Sequence, residues 1–168
     1  MEEVKVLEPL TWKSIWKVEK YHGNLPREID RYDIRPYEVI EGEGNLLLNE
    51  GINELFTILC SATGTKYDNT NARIGVGNSN AAENATQTAL QGGSTALVGM
   101  DGGYPTFGTL QKVIFRATFD GSTGNFAWAE WTIDNGAAAT KNLNRKVTDL
   151  GTKASGTTWI FTVEVSLS

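Results

Sequence analysis

The C-terminal stretch "TTWIFTVEVSLS", residues 157–168, constrains the fold more than any other part of the chain. Apolar and polar residues alternate along it, which is the period of a β-strand with one buried face. The alternation predicts that five side chains face a core: Trp159, Phe161, Val163, Val165 and Leu167. Because a single strand cannot bury its own apolar face, we expect this end of the chain to be tied into a sheet.

Three other segments also predict strands. "ARIGVG" is a short one, and "TLQKVIFRATFD" alternates with Val113, Phe115, Ala117 and Phe119 on one side. The turn sequence "DGSTGN" separates this segment from a third strand, "NFAWAEWTIDNG". Two alternating segments joined by a glycine-containing turn are typical of a hairpin, here over residues 110–133.

One helix is predicted over residues 46–62, within "NLLLNEGINELFTILCSATG". Its apolar residues recur at spacings of three and four and form one stripe: Leu47, Leu48, Ile52, Leu55, Phe56 and Leu59. Asn45 or Asn49 is expected to cap its start, and Gly64 to end it. Gly51 costs about 1 kcal/mol against alanine inside a helix, which predicts close packing or a break there.

Charge divides the chain into two parts, because residues 1–44 hold 17 of the 35 charged residues. We therefore predict an extended N-terminal arm, residues 1–36, and a mainly-β body, residues 37–168. The body is expected to be a single β-sandwich or barrel with the one helix packed on it. Aromatic residues among charges of both signs indicate an interface, with the candidates Trp12, Trp16, Tyr21, Tyr32 and Tyr37. The alternative is that both tryptophans pack on the chain's own core.

The side chains that catalysis most often uses are scarce. His22 is the only histidine and Cys60 the only cysteine, and neither lies near a nucleophile-elbow sequence. Cys60 is expected to be a small core residue and His22 a surface residue. Asp101, Asp120, Asp134 and Asp149 lie in sequences such as "DGG" and "DNG", which are typical of turns. No catalytic residue and no cofactor is therefore predicted.

The segment "NARIGVGNSNAAENATQTALQGG", residues 71–93, has glycines in the manner of a nucleotide-binding loop. It lacks the third glycine of a dinucleotide motif and the Gly-Lys-Ser/Thr of a P-loop. Residues 68–71 carry oxygen-bearing side chains of the kind that bind calcium, but the distal glutamate of an EF-hand is missing. We therefore expect a polar loop, with a weak calcium site as the alternative. We expect an ordered loop of small residues over the body, with Leu90 re-entering it.

Composition restricts the partners. The net charge of −5 and pI of about 4.9 argue against a nucleic-acid partner. The one short basic cluster, Lys141, Arg145 and Lys146, is expected to lie at the rim of a surface. No apolar stretch reaches the 18 or so residues of a membrane span. The beginning "MEEVKV" lacks the pattern of a secretory leader, so synthesis in the cytoplasm is expected.

Residues 37–168 resemble a family of small structural proteins of tailed bacteriophages. The resemblance is carried in order by "EGEGNLLLNEGINEL", by "IGVGNSNAAENATQTALQG", and by "FAWAEW" with "LNRK" and "LGTK" after it. It implies a virion protein without enzymatic residues. The expected role is capsid decoration: binding outside the shell to the major capsid protein and to neighbouring copies, with a trimer the first expectation.

Two alternatives stay open. A looser version of the "IGVG" phrase resembles attachment domains of tail fibres, which implies a tail or neck component that attaches a fibre or adaptor. A carbohydrate-binding module is the other, since Trp128 or Trp131 could stack on a sugar if exposed. Their spacing of three places them on opposite faces of an unbroken strand.

Overall fold

The computed structural model describes residues 11–138 and 140–168. Two helices lie in this part of the chain: α1 (Ile29–Tyr32) and α2 (Asn49–Cys60). The strands are β1 (Trp12–Tyr21), β2 (Glu38–Glu43), β3 (Leu46–Leu47), β4 (Arg73–Gly77), β5 (Thr95–Gly99), β6 (Thr106–Thr109), β7 (Lys112–Phe119), β8 (Ala127–Asp134), β9 (Asn144–Thr152) and β10 (Thr158–Leu167).

The strands form two five-stranded antiparallel sheets that pack face to face. The first sheet has the order β2-β1-β10-β7-β6, and the second has the order β3-β9-β8-β4-β5. The mainly-β sandwich with a packed helix that the sequence predicts is confirmed. β10 lies at the centre of the first sheet, hydrogen-bonded to β1 on one side and β7 on the other.

The core lies between the sheets and is built from the alternation that the sequence shows. Four of the five residues predicted to face inwards from β10 are buried, and only Leu167, at the end of the strand, is exposed. Aromatic rings from both sheets meet there: Trp131 packs edge-on against Phe161 at 5.4 Å, and Trp128 against Trp159 at 4.8 Å.

The predicted hairpin over residues 110–133 is wrong. β7 and β8 belong to different sheets, so the connection between them crosses from one sheet to the other. Phe119 at the end of β7 faces Trp128 at the start of β8, with ring centroids 4.7 Å apart. Facing sheets bury both aromatic residues between them, whereas a hairpin would have set the two strands side by side in one sheet.

The predicted arm is wrong for residues 12–21. These residues form β1, an internal strand whose side chains Trp16 and Val18 are part of the core. The high charge of this segment reflects the outer face of a strand, where Lys17 and Glu19 pair at 3.1 Å. Residues 1–10 of the predicted arm lie outside the described residues.

The predicted helix is confirmed in shorter form, as α2. Neither predicted cap is used, because Leu48 is the N-cap residue and makes no side-chain cap bond, and the helix ends at the C-cap residue Ser61. Close packing at Gly51 is confirmed: an added Cβ would lie 2.5 Å from the Leu143 Cα. Cys60 was expected in the core, but it is exposed on the last turn of α2, whose buried residue, Gly51, lies in the first turn.

Candidate functional site

Helix α2 leaves much of its apolar stripe uncovered. It is held to the sandwich at its first turns, through buried Leu48 and the contact of Gly51 with Leu143. Two carboxylates of the helix add hydrogen bonds. Glu50 Oε1 accepts one from the Asn142 amide at 2.6 Å, and Glu54 Oε1 accepts one from the Thr65 amide at 2.7 Å. The apolar residues further along the helix are consequently exposed, among them Leu55, Phe56 (60% exposed) and Leu59 (78%).

The hairpin of β6 and β7 presents a second exposed apolar surface beside α2. Phe107 on β6 is 75% exposed, and Leu110 at the hairpin turn is 73% exposed. A groove of about 890 Å³ lies between the hairpin and the helix. We call it the apolar groove; its lining includes Trp12, Leu55, Ile58, Tyr67, Pro105, Phe107, Leu110, Val113 and Leu167.

The turn at the tip of this hairpin has an unfavourable sequence for its conformation. Leu110 and Gln111 both have positive φ, at 55° and 50°, and Thr109 pairs with Lys112 across the turn. A two-residue turn with positive φ at both central residues favours Asn-Gly. A side chain held there costs on the order of 1 kcal/mol or more. An exposed leucine in this place therefore stabilises neither the turn nor the core.

Two of the polar side chains that line the groove, Tyr67 and Lys112, have structural partners. Tyr67 Oη donates to Lys141 O at 3.1 Å. Burial, followed by the charges of Glu54 and Glu50, raises the pKa of Tyr67, so the hydroxyl remains a neutral donor. Lys112 pairs with Glu164 at 2.9 Å. The arrangement is suited to holding apolar side chains.

The five predicted interface residues do not lie together. Trp16 and Tyr21 are buried, which corrects their placement at an interface. Trp16 is part of the core between the sheets, and Tyr21 packs in a second apolar cluster with Ile29 and Ile160. Trp12 is half-buried, lines the apolar groove and donates from Nε1 to Asn45 Oδ1 at 3.0 Å. Tyr32 and Tyr37 are exposed outside the groove, and Tyr37 stacks on His22 at 4.2 Å. Both tryptophans pack on the chain's own core, as the alternative held, with Trp16 buried in it and Trp12 partly buried against it.

The candidate chemical residues are dispersed. His22 is exposed, as expected, and Asp120 caps a turn by accepting from Ser122 N at 2.9 Å. Asp134 was expected in a turn, but it is buried at the end of β8. Its carboxylate accepts two hydrogen bonds, each 2.8 Å long, from the guanidinium group of Arg73. Asp68 Oδ1 accepts from Thr70 N and from Asn71. Across residues 11–138 and 140–168, no group of three or more acidic, histidine or cysteine side chains could hold a metal ion.

The loop between β4 and β5, residues 78–94, is ordered against the outer face of the second sheet. Glu130 on β8 accepts from Gly92 N at 2.7 Å and from Gln91 N at 3.0 Å. Arg145 on β9 donates to Glu130 at 2.7 Å, and both side chains are fully buried. Arg145 was expected as a charge at the rim of a surface, but it lies under the loop, where its Nη1 donates a hydrogen bond to Ala82 O. The predicted ordered loop is confirmed.

Trp128 and Trp131 are both buried, so neither offers a ring to a sugar. A register irregularity between Trp128 and Glu130 breaks the simple alternation. Both tryptophans can therefore contact Phe161 in the core, despite their spacing of three. The carbohydrate-binding interpretation required one of these tryptophans to be exposed, so their burial removes it.

Sequence reasoning missed Phe107 and Leu110. The segment "PTFGTLQK" contains Pro, Gly and two large apolar residues, and apolar residues so close to turn-forming residues are the one indication that was present. Periodicity did not help, because β6 spans only Thr106–Thr109 and is irregular.

Comparison of the chain with protein-family models, curated proteins and solved structures found no match. Within the residues that the structure describes, no helix has the length and apolar character needed to cross a membrane.

Proposed function

We propose that this chain is a non-enzymatic structural protein of a phage virion, and that the apolar groove attaches it to the particle. The role that we favour is decoration of the outer capsid shell, where many copies each make one contact with the shell protein. The observation that carries the proposal is the groove, with Leu110 exposed and conformationally strained at its rim. The resemblance to phage structural proteins supports the particle as the partner.

Exposed apolar side chains in one place indicate a binding surface. Single exposed apolar residues are normal, whereas a contiguous group bordering a groove marks interaction sites. Full burial of a side chain such as Phe107, Leu110 or Leu55 stabilises a complex by about 1.5–3 kcal/mol. A few such residues at the centre of an interface supply most of its binding energy.

The groove also indicates the chemistry of its partner. Its wall is apolar, and Lys66 at its edge makes no ion pair within the part of the chain that the structure describes. A segment of the shell protein with apolar residues and an acidic neighbour matches this combination. Modest affinity in each copy suffices, because copies that also contact one another add avidity on a closed shell.

Co-sedimentation tests this proposal. Purified protein is mixed with capsids that lack it and, separately, with isolated tails. We expect saturable binding to capsids in many copies per particle, and loss of that binding in the variant Phe107→Ser. The exposed β1 residue Ile15, which lies outside the groove, supplies the matched control Ile15→Thr, with binding expected to be unchanged. Binding only to tails, in a few copies, would move the protein to the tail or neck, and binding to neither would contradict the proposal.

A further inference from the structure

The two sheets have four edge strands, and three of them are protected against pairing with another chain. β2 carries Glu38, Glu41 and Glu43, and charged residues on an edge oppose the addition of a further strand. β6 follows Pro105 and its pairing is irregular, with Gly108 at φ 91°. β3 is only two residues long.

The fourth edge strand, β5, has none of these protections. Its sequence is "TALVG", without charge or proline, and all five residues pair in regular register with β4. Within the described residues, no strand pairs with its other side. The edge therefore presents a regular row of backbone donors and acceptors to a further strand.

The side chains of β5 extend both faces of the second sheet. Ala96 and Val98 are partly buried and pack against the core cluster between the sheets. Leu97 lies on the outer face and is exposed, beside a cavity of about 250 Å³ that Leu90 also lines. A strand added at this edge would find apolar contacts on each face.

We infer that β5 pairs with β5 of a second copy, antiparallel and across a two-fold axis at Leu97. In that register Thr95 lies opposite the partner's Gly99, Ala96 opposite the partner's Val98, and Leu97 opposite itself. The pairing brings no charges together. The same operation on β2, centred on Gly42, would place Glu41 opposite the partner's Glu43 twice, and like charges directly opposite one another are destabilising.

A second copy is the occupant that this symmetry favours. A two-fold interface needs a surface that is its own complement, and an uncharged strand centred on one apolar residue meets that condition. The pairing joins the second sheets of two copies into one continuous sheet. It uses no residue that lines the apolar groove, so it stands or fails independently of the proposed attachment to a particle.

Sedimentation velocity on the full chain tests the dimer over a range of concentrations. We expect a reversible dimer in the wild type. The variants Leu97→Lys and Leu97→Glu are each expected to raise the dimer dissociation constant about tenfold or more, since like charges then meet across the axis. An equimolar mixture of the two variants is expected to recover the dimer, because lysine then faces glutamate.

The matched control is Val39→Lys, which adds the same charge at an exposed residue of the β2 edge and is expected to leave the dimer intact. Hydrogen exchange on the wild type provides a test that requires no variant: protection of the amides of residues 95–99 is expected to rise with concentration. A wild type that stays monomeric would overturn the inference. So would a trimer or dimer that Leu97→Lys leaves unchanged, or the absence of recovery on mixing two folded variants.

Discussion

Deletion of residues 2–21 is expected to abolish folding. The deletion removes β1, which separates β2 from β10 and pairs with both. It also removes Trp16 and Val18 from the core. Loss of a buried tryptophan side chain alone costs about 3–5 kcal/mol, a large fraction of the roughly 5–15 kcal/mol that stabilises a typical domain.

Near-UV circular dichroism and thermal unfolding compare this deletion with the full chain. The full chain is expected to show a cooperative transition and the signal of packed tryptophans. The deletion variant is expected to show neither. A cooperative, native-like body after removal of residues 2–21 would contradict the placement of β1 in the sheet and restore the interpretation of this segment as an arm.

Replacement of Glu130 by alanine is expected to destabilise the fold by about 3–5 kcal/mol. The Glu130 carboxylate is fully buried and accepts from Arg145 Nε and from the backbone amides of Gln91 and Gly92. The substitution leaves the Arg145 charge without its carboxylate in the interior and removes the acceptor of two loop amides. Chemical denaturation measures the loss, and hydrogen exchange is expected to show faster exchange at Gln91 and Gly92.

A surface pair provides the control for this substitution. Glu164 and Lys112 form an ion pair at 2.9 Å, but both side chains are partly exposed. Glu164→Ala is expected to cost less than about 1 kcal/mol. The double variant Glu130→Met with Arg145→Met is expected to lose less stability than the two single losses added together, because it removes both charges. A Glu130→Ala protein as stable as Glu164→Ala would show that the buried pair does not hold the loop.

Local periodicity accounts for the part of the fold that the sequence predicts. The alternation in β7 and β10 identifies both the strands and their buried faces, because successive side chains of any strand point to opposite sides. The sheet that a strand joins depends on partners far along the chain. β7 and β8 are neighbours in sequence, yet β7 pairs with β10, and β8 pairs with β4 and β9.

The candidate site was harder to predict than the fold. An apolar stripe such as Leu55, Phe56 and Leu59 predicts a packed helix face, and sequence alone does not say which part of the stripe finds a partner. The burial of Arg145 with Glu130 depends on β8 and β9 lying side by side under a loop. The strain at Leu110 depends on backbone angles that only the structure shows.

The measurement that tests the apolar groove most directly uses a variant of the hairpin turn, Leu110→Asn with Gln111→Gly. This pair is the favoured sequence for the observed turn, so the variant is expected to gain on the order of 1 kcal/mol in stability. It also removes the exposed leucine from the groove. Thermal unfolding and capsid co-sedimentation are measured on the same preparation, with Ile15→Thr as the control. The account predicts a higher melting temperature together with binding at least about tenfold weaker, as expected for loss of one buried leucine. A variant that is more stable and still binds capsids as tightly as the wild type would contradict the account.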